Sequence, residues 1–365
     1  MSVLYRKYRP QRFSEFIGQE KIVKTLTNAI ASEMISHAYL FSGPRGSGKT
    51  SLARIFARAI NCQKRKKGEF EPCNTCPSCI EMIKDRSMDL TEIDAASHRG
   101  IDDIKELKEG IRFAPARSRY KVFILDEAHQ LSKDADNALL KTLEEPPPHV
   151  IFILATTEIH KMLPTIVSRC QRFDFRKLTS KEIIKKLTFI CQKEKIRIEK
   201  QALKLIALHA EGSLRDAEGL LGQVFSLYGD REIQLADIKD ILGLVEMETA
   251  AVLCDFLLQR NPAGAINFIN ELFQKGADLE EFSKVLINYL RQALVLKIMG
   301  KTNNPFVLEL TKEELEKLES QSKRFTQEQL KKTLNLFLEA QNKMRYSPIP
   351  QLPLELAIVE SCGVV

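Results

Sequence analysis

Gly43-Pro44-Arg45-Gly46-Ser47-Gly48-Lys49-Thr50, followed by Ser51, fits the pattern G-x-x-x-x-G-K-T. This is the phosphate-binding loop of nucleotide-hydrolysing ATPases, and it works only between a strand and a helix. Both flanks suit it. His37-Ala38-Tyr39-Leu40-Phe41 is a short apolar run of strand type, and Leu52, Ile55, Phe56 and Ala59 follow at helical spacing. Glycines allow backbone angles that turn successive N–H groups onto phosphate oxygens. The helix that follows adds its positive end. Lys49 is expected on the β- and γ-phosphates of ATP, and the Thr50 hydroxyl on Mg²⁺. The fold class that follows is α/β with a parallel sheet.

A length of 365 residues predicts two or three domains, and 44% hydrophobic residues suits a water-soluble chain. The net charge of +7 is compatible with nucleic-acid contact without requiring it. The start, Met1-Ser2-Val3-Leu4-Tyr5-Arg6, has no long apolar run, so no signal peptide is expected. No stretch reaches the roughly 18 apolar residues of a membrane span. A cytoplasmic location is the expectation, with the eight cysteines as reduced thiols or metal ligands.

Along the chain, residues 4–19 alternate basic and aromatic side chains before a turn at Gly18. Two readings are open for Tyr8, Arg9, Pro10 and Ile17: a surface arm packed on the first domain, or one wall of the adenine pocket. A helix with Ile22, Leu26, Ala29 and Ile30 on its buried face follows. Cys62, then Cys73-x2-Cys76-x2-Cys79, supply four thiolates, the set a tetrahedral structural Zn²⁺ takes. An iron–sulfur cluster also uses such runs, but the isolated ligand lies N-terminal here and nothing else points to redox work. Four thiolates leave no open position for catalysis. Cys170, Cys191, Cys254 and Cys362 read as core or surface thiols.

Tyr120 to Leu125 is a buried strand ending in Asp126-Glu127. Asp126 is expected on Mg²⁺ and Glu127 on the attacking water, as general base. Without the phosphate loop, the same pair would read as the acidic start of a helix. His129 reads as a surface residue of the next helix, with no chemistry assigned. Val150 to Thr157 is another buried strand, whose terminal Thr is either a simple cap or a contact to the γ-phosphate. Leu90 to Ala95 and Arg172 to Phe175 complete the strands, and from Thr179 the pattern is helical only. The expected domains are 1–175, with an insertion at 61–80, then 176–243 and 244–365.

Tyr8-Arg9-Pro10, Ile17-Gly18-Gln19, the phosphate loop, the four-Cys insertion, Asp126-Glu127, Ser168-Arg169-Cys170 and Gly212-Ser213-Leu214-Arg215-Asp216-Ala217 occur in this order. Together they resemble the AAA+ clamp-loader ATPases, with a close match to the gamma/tau family of bacterial DNA polymerase III. The resemblance implies an AAA+ domain carrying a zinc knuckle, a helical lid and a helical collar. It also implies that Thr157 is a first sensor of the γ-phosphate, Arg215 a second sensor on the lid, and Arg169 an arginine finger acting on the neighbouring subunit. The implied partners are the other clamp-loader subunits in a hetero-oligomeric ring with several copies of this chain, a sliding clamp, primed DNA held by its backbone phosphates, and the polymerase holoenzyme. Arg99 and Ser132-Lys133 are candidates for DNA contact or for an ordinary solvated surface. In the family, a longer tau form carries further C-terminal domains. This chain ends at Val365, so it matches the ATPase portion, as a short natural form or a truncated one.

Two other readings compete. Another AAA+ motor, for branch migration or remodelling, would be expected to lack the knuckle and the collar. A non-hydrolysing scaffold would have no reason to keep Lys49, Thr50, Asp126, Glu127, Thr157, Arg169 and Arg215 together. No acidic constellation beyond this site suggests a polymerase centre.

Overall fold

The computed structural model describes residues 3–97, 110–111, 113–229, 231–242, 247–300 and 312–363. Arg99 and the boundary expected at 243/244 lie outside them. The described elements fall into two compact units, Met1–Leu235 and Ala236–Val365.

In chain order, the first unit holds α1 (Leu4–Lys7), α2 (Glu20–Ala31), β1 (Ala38–Ser42), α3 (Lys49–Ile60), α4 (Pro77–Ile83), β2 (Leu90–Asp94), β3 (Lys121–Asp126), α5 (Lys133–Glu144), β4 (Val150–Thr156), α6 (Pro164–Val167) and β5 (Gln171–Asp174). The helices α7 (Ser180–Glu194), α8 (Lys200–His209) and α9 (Leu214–Tyr228) follow. The sheet is wholly parallel, in the order β2-β3-β4-β1-β5.

The apolar runs are continuous because both faces of the sheet are covered. Tyr39, Phe41, Ile124 and Ile153 point to one side, against Ile22 and Leu26 of α2 and Leu52 and Phe56 of α3. Their neighbours Leu40, Leu125, Phe152 and Leu154 point to the other, against Leu139 of α5 and Ile166 of α6. Period-two alternation within each strand thus feeds two cores. As expected, Leu52, Ile55, Phe56 and Ala59 are fully buried.

This topology sets the carboxyl ends of β1, β4 and β3 side by side, where open α/β sheets place ligands. The phosphate loop leaves β1, Thr156-Thr157 end β4, and Asp126-Glu127 end β3. The register pairs Ser42 with Thr156 and Leu125 with Leu154, so these ends are level.

Two of the three helices after the sheet carry side-chain caps. Thr179 and Glu182 form a reciprocal capping box on α7, and Ser213 Oγ accepts from the Asp216 N–H at the start of α9.

Around the second unit's start lies α10 (Leu235–Ile241). The unit continues as α11 (Met247–Leu258), α12 (Pro262–Gln274), α13 (Leu279–Met299), α14 (Lys312–Arg324), α15 (Gln327–Met344) and α16 (Leu352–Cys362). Pro262 opens α12 at a position where its missing N–H costs nothing. Leu257, Ile269, Leu286 and Leu290 are buried in one core with Phe337 and Ile358. Among the described residues, no helix is long and apolar enough to cross a membrane.

Candidate functional site

The phosphate loop turns sharply into α3, and Gly48 caps that helix in the left-handed region at φ 98°. Any side chain there would be strained, and a Cβ would also lie 2.5 Å from Cζ of Phe16. The lid sits on the same loop. The Leu214 N–H donates to the Gly46 carbonyl at 3.2 Å, and a Cβ on Gly46 would lie 1.9 Å from Ser213 Oγ.

Lys49 is 6% exposed, and its Nζ donates to the carbonyls of Gly43 at 2.7 Å and Pro44 at 3.0 Å. Burial lowers its pKa, against the pull of Glu127 and Asp126. Ser47 Oγ donates to the same Pro44 carbonyl. Thr50 Oγ1 donates to Asp126 Oδ2 at 2.7 Å, which joins two hard oxygen groups, a pair fitted to Mg²⁺.

Glu127 stands just past β3 in the left-handed region at φ 46°, a costly conformation that strained active-site residues often show. Its Oε2 accepts from Thr157 Oγ1 at 2.8 Å and from the Thr157 N–H at 3.3 Å. His129, expected on the surface, instead has a side chain only 5% exposed. Its Nδ1 lies 3.0 Å from Thr156 Oγ1 and 3.5 Å from Glu127 Oε2, and its Nε2 lies 3.4 Å from Glu158. The tight 3₁₀ turn Ala128–Gln130 after the strand folds the ring back onto the end of β4. That path is set by tertiary packing, so the sequence offered no signal for it.

A cavity of about 570 Å³ opens over the loop, a size that suits a small-molecule ligand. Arg45, Gly46, Ser47, Gly48, Lys49, Thr50, Ser51, Asp126 and Glu127 line its floor, and Arg9, Pro10, Phe16 and Ile17 line one wall. Leu214, Arg215, Lys186 and Glu218 enter from the lid. The N-terminal arm packs on the first unit and also lines the cavity. Phe13 is buried in the core, while Arg9, Pro10 and Ile17 face the cavity. Arg9 Nε also donates to Ser51 Oγ at 3.1 Å.

Tyr8 goes elsewhere. Its hydroxyl donates to Glu194, and its ring meets Phe189 edge-on, so it ties the arm to α7 and does not line the cavity. Arg215 stacks over the Tyr5 ring at 5.0 Å within the cavity wall. Lys186 and Glu218, which the sequence reading missed, are both buried. Burial pushes the Glu218 carboxyl up to about 7, with Lys186 pulling the other way. Apolar helical spacing hides such residues, because a charged side chain on a lid helix normally faces water.

Arg169 does not join this group. Its guanidinium pairs with Glu144 at 2.7 Å and donates to the Thr165 carbonyl, and it does not line the cavity. Ser132 caps α5 by accepting from the Ala135 N–H.

The sulfurs of Cys62, Cys73, Cys76 and Cys79 lie within 4.8 Å of one another. A tetrahedral Zn²⁺ with bonds of about 2.3 Å spaces its sulfurs by about 3.8 Å, so the four fit that ion. Backbone N–H groups of Cys73, Thr75 and Cys76 point at these sulfurs at 3.2–3.4 Å, which orients thiolate ligands from outside the metal shell.

Three family models match the chain from residue 18 onward. The DNA polymerase III delta subunit model matches residues 18–179, the DNA polymerase III clamp loader subunit ATPase lid domain 182–229, and DNA polymerase III subunits gamma and tau domain III 233–364. DNA polymerase III subunit tau of Bacillus subtilis (strain 168) is 42% identical over 98% of this chain and 63% of its own length. DNA polymerase III subunit gamma of Buchnera aphidicola subsp. Acyrthosiphon pisum (strain APS) is 36% identical over 100% of this chain and 99% of its own length. The chain thus spans under two thirds of that tau relative and nearly all of the gamma relative. A solved structure of the Thermotoga maritima RuvB Holliday junction branch migration motor aligns with a TM-score of 0.49 and 21% identity, over 78% of this chain and 91% of its own. With sequence relatives matching along its whole length, the chain belongs to the DNA polymerase III gamma/tau family.

Proposed function

We propose that this chain is an ATP-binding and ATP-hydrolysing motor subunit of a clamp loader, which opens a sliding clamp and releases it around primed DNA. The observation that carries the reading is the meeting of Thr50 with Asp126 and of Thr157 with Glu127 at the level ends of three adjacent strands.

Each residue then has a role the geometry can perform. The loop N–H groups and the N-terminus of α3 take the phosphates. Lys49 exchanges its carbonyl partners for the β- and γ-phosphate oxygens. Thr50 and Asp126 would hold Mg²⁺, which neutralises charge on the phosphates when bound. Glu127 orients and deprotonates the attacking water, and Thr157 fixes the Glu127 carboxylate. Arg215 brings a cation from the lid to the transferring phosphoryl group, so lid position and turnover are linked. Arg169, committed to Glu144 and outside its own cavity, is the arginine finger for a neighbouring subunit. Cys62, Cys73, Cys76 and Cys79 would hold a structural Zn²⁺. Residues 1–175, 176–243 and 244–365 serve as motor, lid and collar, in a ring with other loader subunits.

Primed DNA is held through backbone phosphates, so its binding should weaken steeply with salt. The test is a loading assay with partner subunits, clamp and primed circular DNA. Retention of clamp on DNA should require ATP and be lost in Glu127→Gln. Equal retention by that variant would overturn the motor role.

A further inference from the structure

The arm that walls the cavity has little structure of its own. Between Arg9 and Ile17 it forms one 3₁₀ turn, Phe13–Glu15, flanked by extended residues. Yet Arg9, Pro10, Gln11, Phe16 and Ile17 all face the cavity, and the Phe16 ring lies against Gly48 of the phosphate loop.

Arg58 of α3 holds one end of this arm from outside, donating to the Gln11 side chain and, at 3.0 Å, to its carbonyl; the cysteine knuckle is the second anchor. The Glu71 carboxylate accepts the N–H of Phe13 at 3.0 Å and the N–H of Ser14 at 2.8 Å, one on each oxygen. Asn74 Nδ2 donates to the Gln11 carbonyl at 3.1 Å. The Phe70 ring meets Phe13 at 6.4 Å. Asn74 sits between Cys73 and Cys76 in the left-handed region at φ 59°, and Glu71 is two residues before Cys73. The sulfur cluster therefore sets the positions of both contacts.

We infer that the knuckle is a clamp for the nucleotide pocket: through Glu71 and Asn74 it holds the arm in its binding conformation, so metal occupancy sets nucleotide affinity. This rests on the nucleotide-site reading above. Glu71 and Asn74 are positioning residues, since neither lines the cavity. Charge-assisted bonds to two adjacent N–H groups are among the stronger ways to pin a loop. Losing them leaves the pocket only fractionally formed, and apparent affinity falls by that fraction.

The test is calorimetric titration of the full chain with ADP, alongside its zinc content. Glu71→Ala should keep its zinc, because all four cysteines remain, and bind ADP about tenfold more weakly. ATP turnover should show KM raised by the same factor with kcat at saturation within about twofold. Glu71→Gln, which keeps one acceptor oxygen, should recover part of the affinity. The unaltered chain stripped of metal should show the same weakening. ADP affinity unchanged in both Glu71→Ala and the metal-free chain would overturn the clamp, as would loss of zinc from Glu71→Ala. Failure of the unaltered, zinc-loaded chain to bind ADP would overturn the nucleotide-site reading itself, and the clamp with it.

Discussion

Lys49 is buried, and among the described residues its Nζ donates to two backbone carbonyls of its own loop, so its charge is ready for an anionic partner. Lys49→Ala is expected to abolish ATP binding by calorimetry without unfolding the chain, and retained affinity would remove the residue from its role. Glu127→Gln keeps the shape and the bond from Thr157 but lacks a base. It should bind ATP normally and hydrolyse it about 10²–10⁴ times more slowly, measured as phosphate release. Glu218 gives a pH signature. Its carboxyl, raised by burial to about 7, holds a proton more tightly folded than unfolded, where its value is about 4.3. The resulting penalty is absent below the unfolded value, grows between the two, and is complete above about pH 7. Relative to the unaltered chain, Glu218→Gln should therefore gain stability as pH rises from 5 to 8. Melting curves at the two pH values check this, and an equal change at both would contradict it.

Among the elements, β2 is an edge strand whose entry is fixed by one carboxylate. Buried Asp89 accepts N–H groups from Ala116, Arg117 and Ser118 at 2.6–3.0 Å. Burial alone would raise its pKa, but these donors lower it on balance. That stabilisation is present above the unfolded carboxylate range and lost as pH falls below it. Asp89→Asn should cost about 2 kcal/mol at neutral pH, a drop of roughly 4–8 °C in melting temperature. An unchanged midpoint would show that loop 116–118 is held otherwise. Local pattern gave away what local physics controls. The buried strands announce themselves because two covered faces demand unbroken apolar runs, and Gly48, Thr50 and Asp126 because phosphate and metal binding tolerate few residue types. The inward turn of His129, the burial of Lys186 and Glu218, the reach of Tyr8 to Glu194 and the hold of Glu71 on the arm were not legible. Each depends on a partner far away in the chain, and nothing in the flanking residues marks it.

For the whole molecule, the proposal makes one arginine depend on assembly. Arg169 is paired with Glu144 and does not line the cavity of its own chain. Arg169→Ala should leave ATP affinity of the isolated chain unchanged, yet remove most of the turnover that partners, clamp and DNA stimulate. Normal stimulated turnover in that variant would end the finger assignment. The most direct measurement is steady-state ATP hydrolysis by the unaltered chain with loader partners at fixed low salt, with and without sliding clamp and primed DNA. A clamp-loader motor predicts strong stimulation only when clamp and DNA are both present. A rate indifferent to the clamp would contradict it and point to a different AAA+ motor, and no hydrolysis under any condition would leave a scaffold.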